Sequence, residues 1–175
     1  AVLGILLIGV SIYPVLGTQS RLKTRFKTLP STLNGMEYMK NSVYKDQKGE
    51  IDLKEDYEAI SWIRENIEGS HIILEGLTPN YRWGGRVSAY TGLPNVIGWR
   101  WHQEQQRWDY RWAIEQRTEE VNLIYSTDKP SIANQLIEKY GISYIYIGQL
   151  ERLYYPEAGI KKFEDGINKT KKDLI

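Results

Sequence analysis

The chain has 175 residues, 41% of them hydrophobic and 12% aromatic, enough material for one domain with a core plus appendages. Its 23 basic and 22 acidic side chains leave a net charge of +1, and no basic block marks a nucleic-acid footprint, so nucleic acid is not an expected partner. Cysteine is absent, which excludes disulfides, thiolate metal sites and cysteine nucleophiles. The two histidines, His71 and His102, are too few for a histidine-rich metal site.

Residues 1–17, AVLGILLIGVSIYPVLG, carry no charge, and the run begins at Ala1 rather than at a methionine. A spanning helix needs about 20 apolar residues, so the run reads as the last half or more of a transmembrane helix in a longer protein, weakened near its end by Pro14. A signal peptide fits less well, because the charged n-region is missing and Val15-Leu16-Gly17 is a poor cleavage site. Arg21, Lys23, Arg25 and Lys27 follow and suit lipid phosphates. By the positive-inside tendency they belong on the cytoplasmic side. Residues 18–51 then read as a juxtamembrane connector with one apolar-aromatic patch at Met36, Tyr38 and Met39.

The compact domain is expected over 52–165, with 166–175 as a loose tail. Asp52 and Glu55 have the spacing of a capping pair, Ile60, Ile63 and Ile67 recur at helical spacing, and Gly69 supplies a stop. His71–Glu75 predicts a short strand, and Asn95–Gly98 a second. Residues 103–125 favour a helix that breaks once and resumes near Glu115. Asp128 predicts a cap, Pro130 a first turn and Gly141 a close, followed by the β-branched and aromatic strand Ile142–Ile147. A short helix is expected from Pro156 towards Phe163. Strands alternating with helices at this spacing predict an α/β fold, a small mostly parallel sheet with flanking helices, in which 71–75 and 142–147 run parallel.

Five of the six tryptophans, Trp83, Trp99, Trp101, Trp108 and Trp112, fall between Tyr81 and Trp112 beside Arg82, Arg86, Arg100, Arg107 and Arg111. Broad rings and guanidinium forks on glycine-loosened backbone suit something planar, sugar-like or anionic. Each tryptophan taken singly also fits an ordinary core. Ligands of open α/β sheets bind beyond the carboxyl ends of the strands, which here are followed by 76–91, 99–107 and 148–154. That edge predicts a substrate-binding surface of Arg86, Tyr90, Trp99, His102, Glu104 and Arg107. The competing reading has Arg86 or Arg107 pairing with Glu104 to hold the loops.

Other chemistry finds little footing. Arg82-Trp-Gly-Gly-Arg86 lacks either phosphate-loop spacing, His102-Gln-Glu104 lacks a metal register and a third ligand, and Ser88 has no nucleophile elbow. For a pair of carboxylates that hydrolyses sugars, Glu75 and Glu104 are the only candidates near the aromatic patch. Asn168-Lys-Thr170 matches a glycosylation sequon.

An ordered series of short motifs carries a resemblance: Arg86-Val-Ser-Ala-Tyr90-Thr-Gly-Leu-Pro94, Val96-Ile-Gly-Trp99, His102-Gln-Glu-Gln-Gln-Arg107, Ile124-Tyr-Ser-Thr-Asp128, Lys139-Tyr-Gly-Ile142 and Ile147-Gly-Gln-Leu-Glu-Arg152. Over about residues 31–165 the chain resembles the C-terminal part of the "YYY" family of prokaryotic polytopic membrane proteins, which are similar to GT-C glycosyltransferases using polyprenyl-phosphate-linked sugars. Asn34 stands where the family pattern has Asp. The resemblance implies a multi-pass cell-membrane protein whose α/β domain stands outside the cytoplasm, against the side favoured by the cations at 21–27. It implies that this domain helps to bind or position a sugar acceptor or the lipid-linked donor. The catalytic acid, and any divalent metal, would lie in the membrane region outside this sequence, so no catalytic residue and no cofactor is expected here. A non-enzymatic recognition or assembly module of a membrane protein is the second reading.

Overall fold

The computed structural model describes residues 2–25 and 32–170, with side chains placed over 2–23 and 32–164. Two compact units divide at Tyr38 and Met39.

The first unit carries one helix, Val2–Lys23, that is long and apolar enough to cross a membrane, and none of its apolar window is buried. It runs as α1 (Val2–Ile12), a π-helical turn (Tyr13–Gly17) and α2 (Thr18–Arg25). The turn has its cause in Pro14, whose ring removes one N–H from the ladder, so the backbone widens there instead of ending. Arg21 and Lys23 lie on α2, while the Arg25 side chain and Lys27 fall outside the described residues.

The second unit begins earlier than Asp52. Strands β1 (Val43–Lys45) and β2 (Glu50–Asp52) form an antiparallel hairpin, pairing Tyr44 with Ile51. Ile51 is buried, and Asp46 accepts from the Tyr154 hydroxyl at 2.6 Å. Asp52 caps α3 (Leu53–Asn66) by accepting from Lys54 N at 3.0 Å. Its own N–H donates to Gln149 Oε1 rather than into a box with Glu55.

The core lies on both faces of a parallel pair, β3 (Ile72–Leu74) with β4 (Ile142–Ile145), to which Asn95 adds a single parallel bridge against Ile73. Strand alternation sends Ile73 and Leu74 to opposite faces. Ile73 packs with Ile63 of α3 and with Val87 of α4 (Arg86–Thr91). Leu74 joins Ile114, Val121 and Ile124 of α6 (Arg111–Ser126), Ala133 of α7 (Pro130–Tyr140) and Ile160 of α9 (Glu157–Thr170). Tyr125, fully buried, places its hydroxyl 3.0 Å from the Leu74 carbonyl and 2.9 Å from that of Tyr146, tying the two strand ends together. The molecule is therefore a mixed helix and sheet structure, dominated by helix, with 71–75 and 142–147 contributing parallel neighbours as expected.

Several local readings shift. The break in the long helical stretch falls at Arg107, between α5 (Arg100–Gln106) and a 3-10 turn at Trp108–Tyr110, so α6 resumes at Arg111 rather than Glu115. Asp128 does not cap α7; Lys129 takes the cap position, and Thr127 Oγ1 accepts from its N–H at 3.2 Å. Gly141 closes α7 at φ 61°, where a side chain would be strained. After α8 (Gln149–Tyr154), α9 runs past Phe163 to Thr170. The Asn168 side chain and residues 171–175 lie outside the described residues.

Candidate functional site

At the carboxyl ends of β3 and β4 the chain turns through Gly76 and Gly148, and between them sits the carboxylate of Glu151. It accepts from Gly76 N at 2.8 Å and from Gly148 N at 2.9 Å. A Cβ on Gly76 would lie 2.9 Å from Glu151 Oε1, which is why backbone without a side chain passes here. Arg86 grips the same carboxylate with both terminal nitrogens, at 3.2 and 2.9 Å, and donates its Nε to Asp56 at 2.7 Å. Asp56 also accepts from Trp83 Nε1 at 2.7 Å and from the Tyr146 hydroxyl at 2.6 Å. A third carboxylate, Glu75, lies 3.9 Å from Arg86 and accepts from Val87 N and Ser88 N, both at 2.9 Å, at the start of α4. All four charged side chains are at most 3% exposed.

One guanidinium thus serves three buried carboxylates. Burial works against the charge on Arg86, but Glu151 and Asp56 outweigh it, and its pKa is raised well above the usual arginine range. For Glu75 burial dominates: its pKa is raised, although Arg86 and the two backbone N–H donors pull the other way. Burial, then Asp56, raise the Tyr146 phenol well above its ordinary value. Every partner in this knot is internal, so its work is to join α3, α4, α8 and the two strand ends.

The other expected residues gather around α5. Tyr81, held at φ 60°, packs against Trp99 with the rings tilted by 56° and their centroids 5.3 Å apart, and meets His102 edge-on at 6.1 Å. Asn80 accepts from Trp101 N at 3.0 Å. Glu104 is buried, bonded by Arg100 at 2.7 Å and 3.8 Å from Arg111, and Arg100 also reaches Glu115 at 3.1 Å. Arg107 instead lines a cleft of about 500 Å³, with Gln103, Tyr110, Arg117 and Asn95 around a floor of Val96 and Ile114. Arg107 bonds Gln103, and Arg117 donates to the Val96 carbonyl at 3.2 Å. Among the described residues neither pairs with a carboxylate, and Asn95 Oδ1 is buried without a partner.

Arg86 therefore lies in the buried knot. Tyr90 is half-buried on α4, its ring 6.3 Å from Trp83. Trp99, His102, Glu104 and Arg107 share the α5 neighbourhood, with Glu104 in the ion pairs and Arg107 on the cleft. Sequence reasoning passed over Asp56, Asn95 and Arg117, and reached Glu151 only as part of the segment 148–154 at the carboxyl edge. Asp56 had a signal: it stands four residues before Ile60 on the apolar stripe of α3, where a charge must find a buried partner. Among the described residues no group of histidines and carboxylates is arranged to hold a metal ion. Compared with known proteins, the chain matches no family model, no curated protein and no solved structure.

Proposed function

We propose that the second unit recognises an anionic, hydroxyl-bearing ligand for a membrane-attached glycosyltransferase of the GT-C kind, holding a sugar acceptor or the polyprenyl-phosphate-linked donor. The observation that carries this is the cleft: Arg107 and Arg117, uncompensated by carboxylates, face it together with Gln103, Tyr110 and Asn95. Guanidinium forks bind phosphate or carboxylate, and the amide groups and phenol offer donors and acceptors to hydroxyls. The ordered motifs and the apolar helix Val2–Lys23 support the same reading. In it, the fold is a small α/β domain with a mostly parallel sheet, standing on the extracytoplasmic side of a multi-pass cell-membrane protein. The catalytic acid and any divalent ion belong to the membrane region of that protein.

A non-enzymatic recognition or assembly module is the second reading. The saturated Arg86 knot favours it, because the polar groups gathered at the strand ends are spent on each other. Titration of the detergent-solubilised full chain with a polyprenyl-phosphate sugar, inorganic phosphate and the free sugar separates the two. The transferase reading expects the lipid-linked sugar to bind and Arg107→Ala with Arg117→Ala to weaken it about tenfold or more, the loss of one or two charged hydrogen bonds. Unchanged melting would accompany that loss. Binding that ignores both substitutions, or no binding of any of the three, removes the cleft from the argument and leaves the module.

A further inference from the structure

Four large aromatic side chains point outward from one short stretch. Trp101 is 47% exposed, Trp108 63%, Tyr110 61% and Trp112 66%, in the first turn of α5, the 3-10 turn that follows it and the start of α6. Residues 99–112 contain no Leu, Ile or Val, so this is not an aliphatic core face left uncovered. Trp and Tyr carry an apolar body and a polar edge, the combination that settles at the depth of lipid headgroups. Arg111 lies over the Trp108 ring at 4.5 Å, placing a cation at the same level.

Charge on this corner is arranged to suit an anionic surface. Glu104 is buried and bonded by Arg100, and Glu115 is bonded by the same arginine. The cations left over are Arg107 and Arg117 at the cleft, with Asp109 as the one acid of the stretch outside these pairs among the described residues. Reach fits as well. Residues 24–38 separate the apolar helix from the second unit, a length of at most about 50 Å when fully extended. In a protein whose apolar helix spans a bilayer, a tether of that length keeps the membrane surface within the second unit's reach.

We propose that the Trp101–Trp112 corner is a lipid-docking face that rests in the headgroup layer of an anionic membrane. It stands whether or not the cleft takes a sugar phosphate. The experiment reconstitutes the full chain in vesicles of brominated phosphatidylcholine, with or without phosphatidylglycerol, and reads tryptophan fluorescence. The apolar helix carries no tryptophan, so it contributes no background. In anionic vesicles bromine should quench the emission, and Trp108→Phe with Trp112→Phe should remove about half of that quenching, since both rings sit at headgroup depth. Trp62→Phe, at an exposed position of α3 outside the 99–112 stretch, should leave it unchanged. Quenching that survives the double substitution overturns the proposal, as does iodide reaching these rings in vesicles as readily as in detergent. Shielding from iodide without bromine quenching means that a protein covers the face, and also overturns it. Equal quenching in neutral vesicles overturns the anionic preference.

Discussion

Truncating Arg86 would leave Asp56, Glu75 and Glu151 buried without their cation. Breaking a buried pair in this way costs about 3–5 kcal/mol, so Arg86→Ala should lower the denaturation midpoint of the second unit sharply by circular dichroism; a variant that melts like the parent would return Arg86 to the ligand-contact reading. Glu75 makes a pH prediction. Its folded pKa is raised above the ordinary glutamate value of 4.5, so the folded state holds a proton that the unfolded chain has released. Folding stability must then fall as pH rises above 4.5 towards the folded pKa, because ionising the carboxylate in its buried seat becomes part of the cost of staying folded. Glu75→Gln has no such proton to lose. The stability difference between parent and variant should therefore drift against the parent over that window, measured by urea unfolding at stepped pH, and a flat difference would contradict the shift.

Among the elements, α9 meets α6 through Gly159. A Cβ there would fall on the backbone carbonyl oxygen of Tyr125, with the Ser126 backbone also within 2.9 Å, and neither can swing aside as a side chain tip would. Gly159→Ala should force α9 off α6, expose part of the Ile160 contact and cost about 1–3 kcal/mol. A thermal melt checks it, and an unshifted midpoint would mean that the helices have room to separate. The elements were partly legible in advance. Pro130, Gly141 and the β-branched run after it fix α7 and β4 through local chemistry alone, and the structure follows them closely. The hairpin at Val43–Asp52 was not legible. Its strands are three residues each, too short for a period to show, and it is held by groups far along the chain, at Gln149 and Tyr154.

At the scale of the whole molecule, the chain combines a helix apolar enough to cross a membrane with a compact mixed unit that buries charge inside and leaves tryptophan outside. That is the reverse of what composition alone expects of arginine and tryptophan. The sequence by itself determined the apolar helix and the long amphipathic helices, because each follows from spacing along a few neighbouring residues, and the parallel partnership of β3 with β4, because strands that alternate with helices favour parallel neighbours. It also marked residues 81–112 as unusual. Only the tertiary structure decided what those residues do: Arg86 turned inward because Asp56 and Glu151, thirty and sixty-five positions away, converge on it, while Arg107 stayed on an open cleft. Arginine is the same residue type in both places, and its role is set by which carboxylates the fold brings within hydrogen-bond reach, a non-local fact that no local pattern carries.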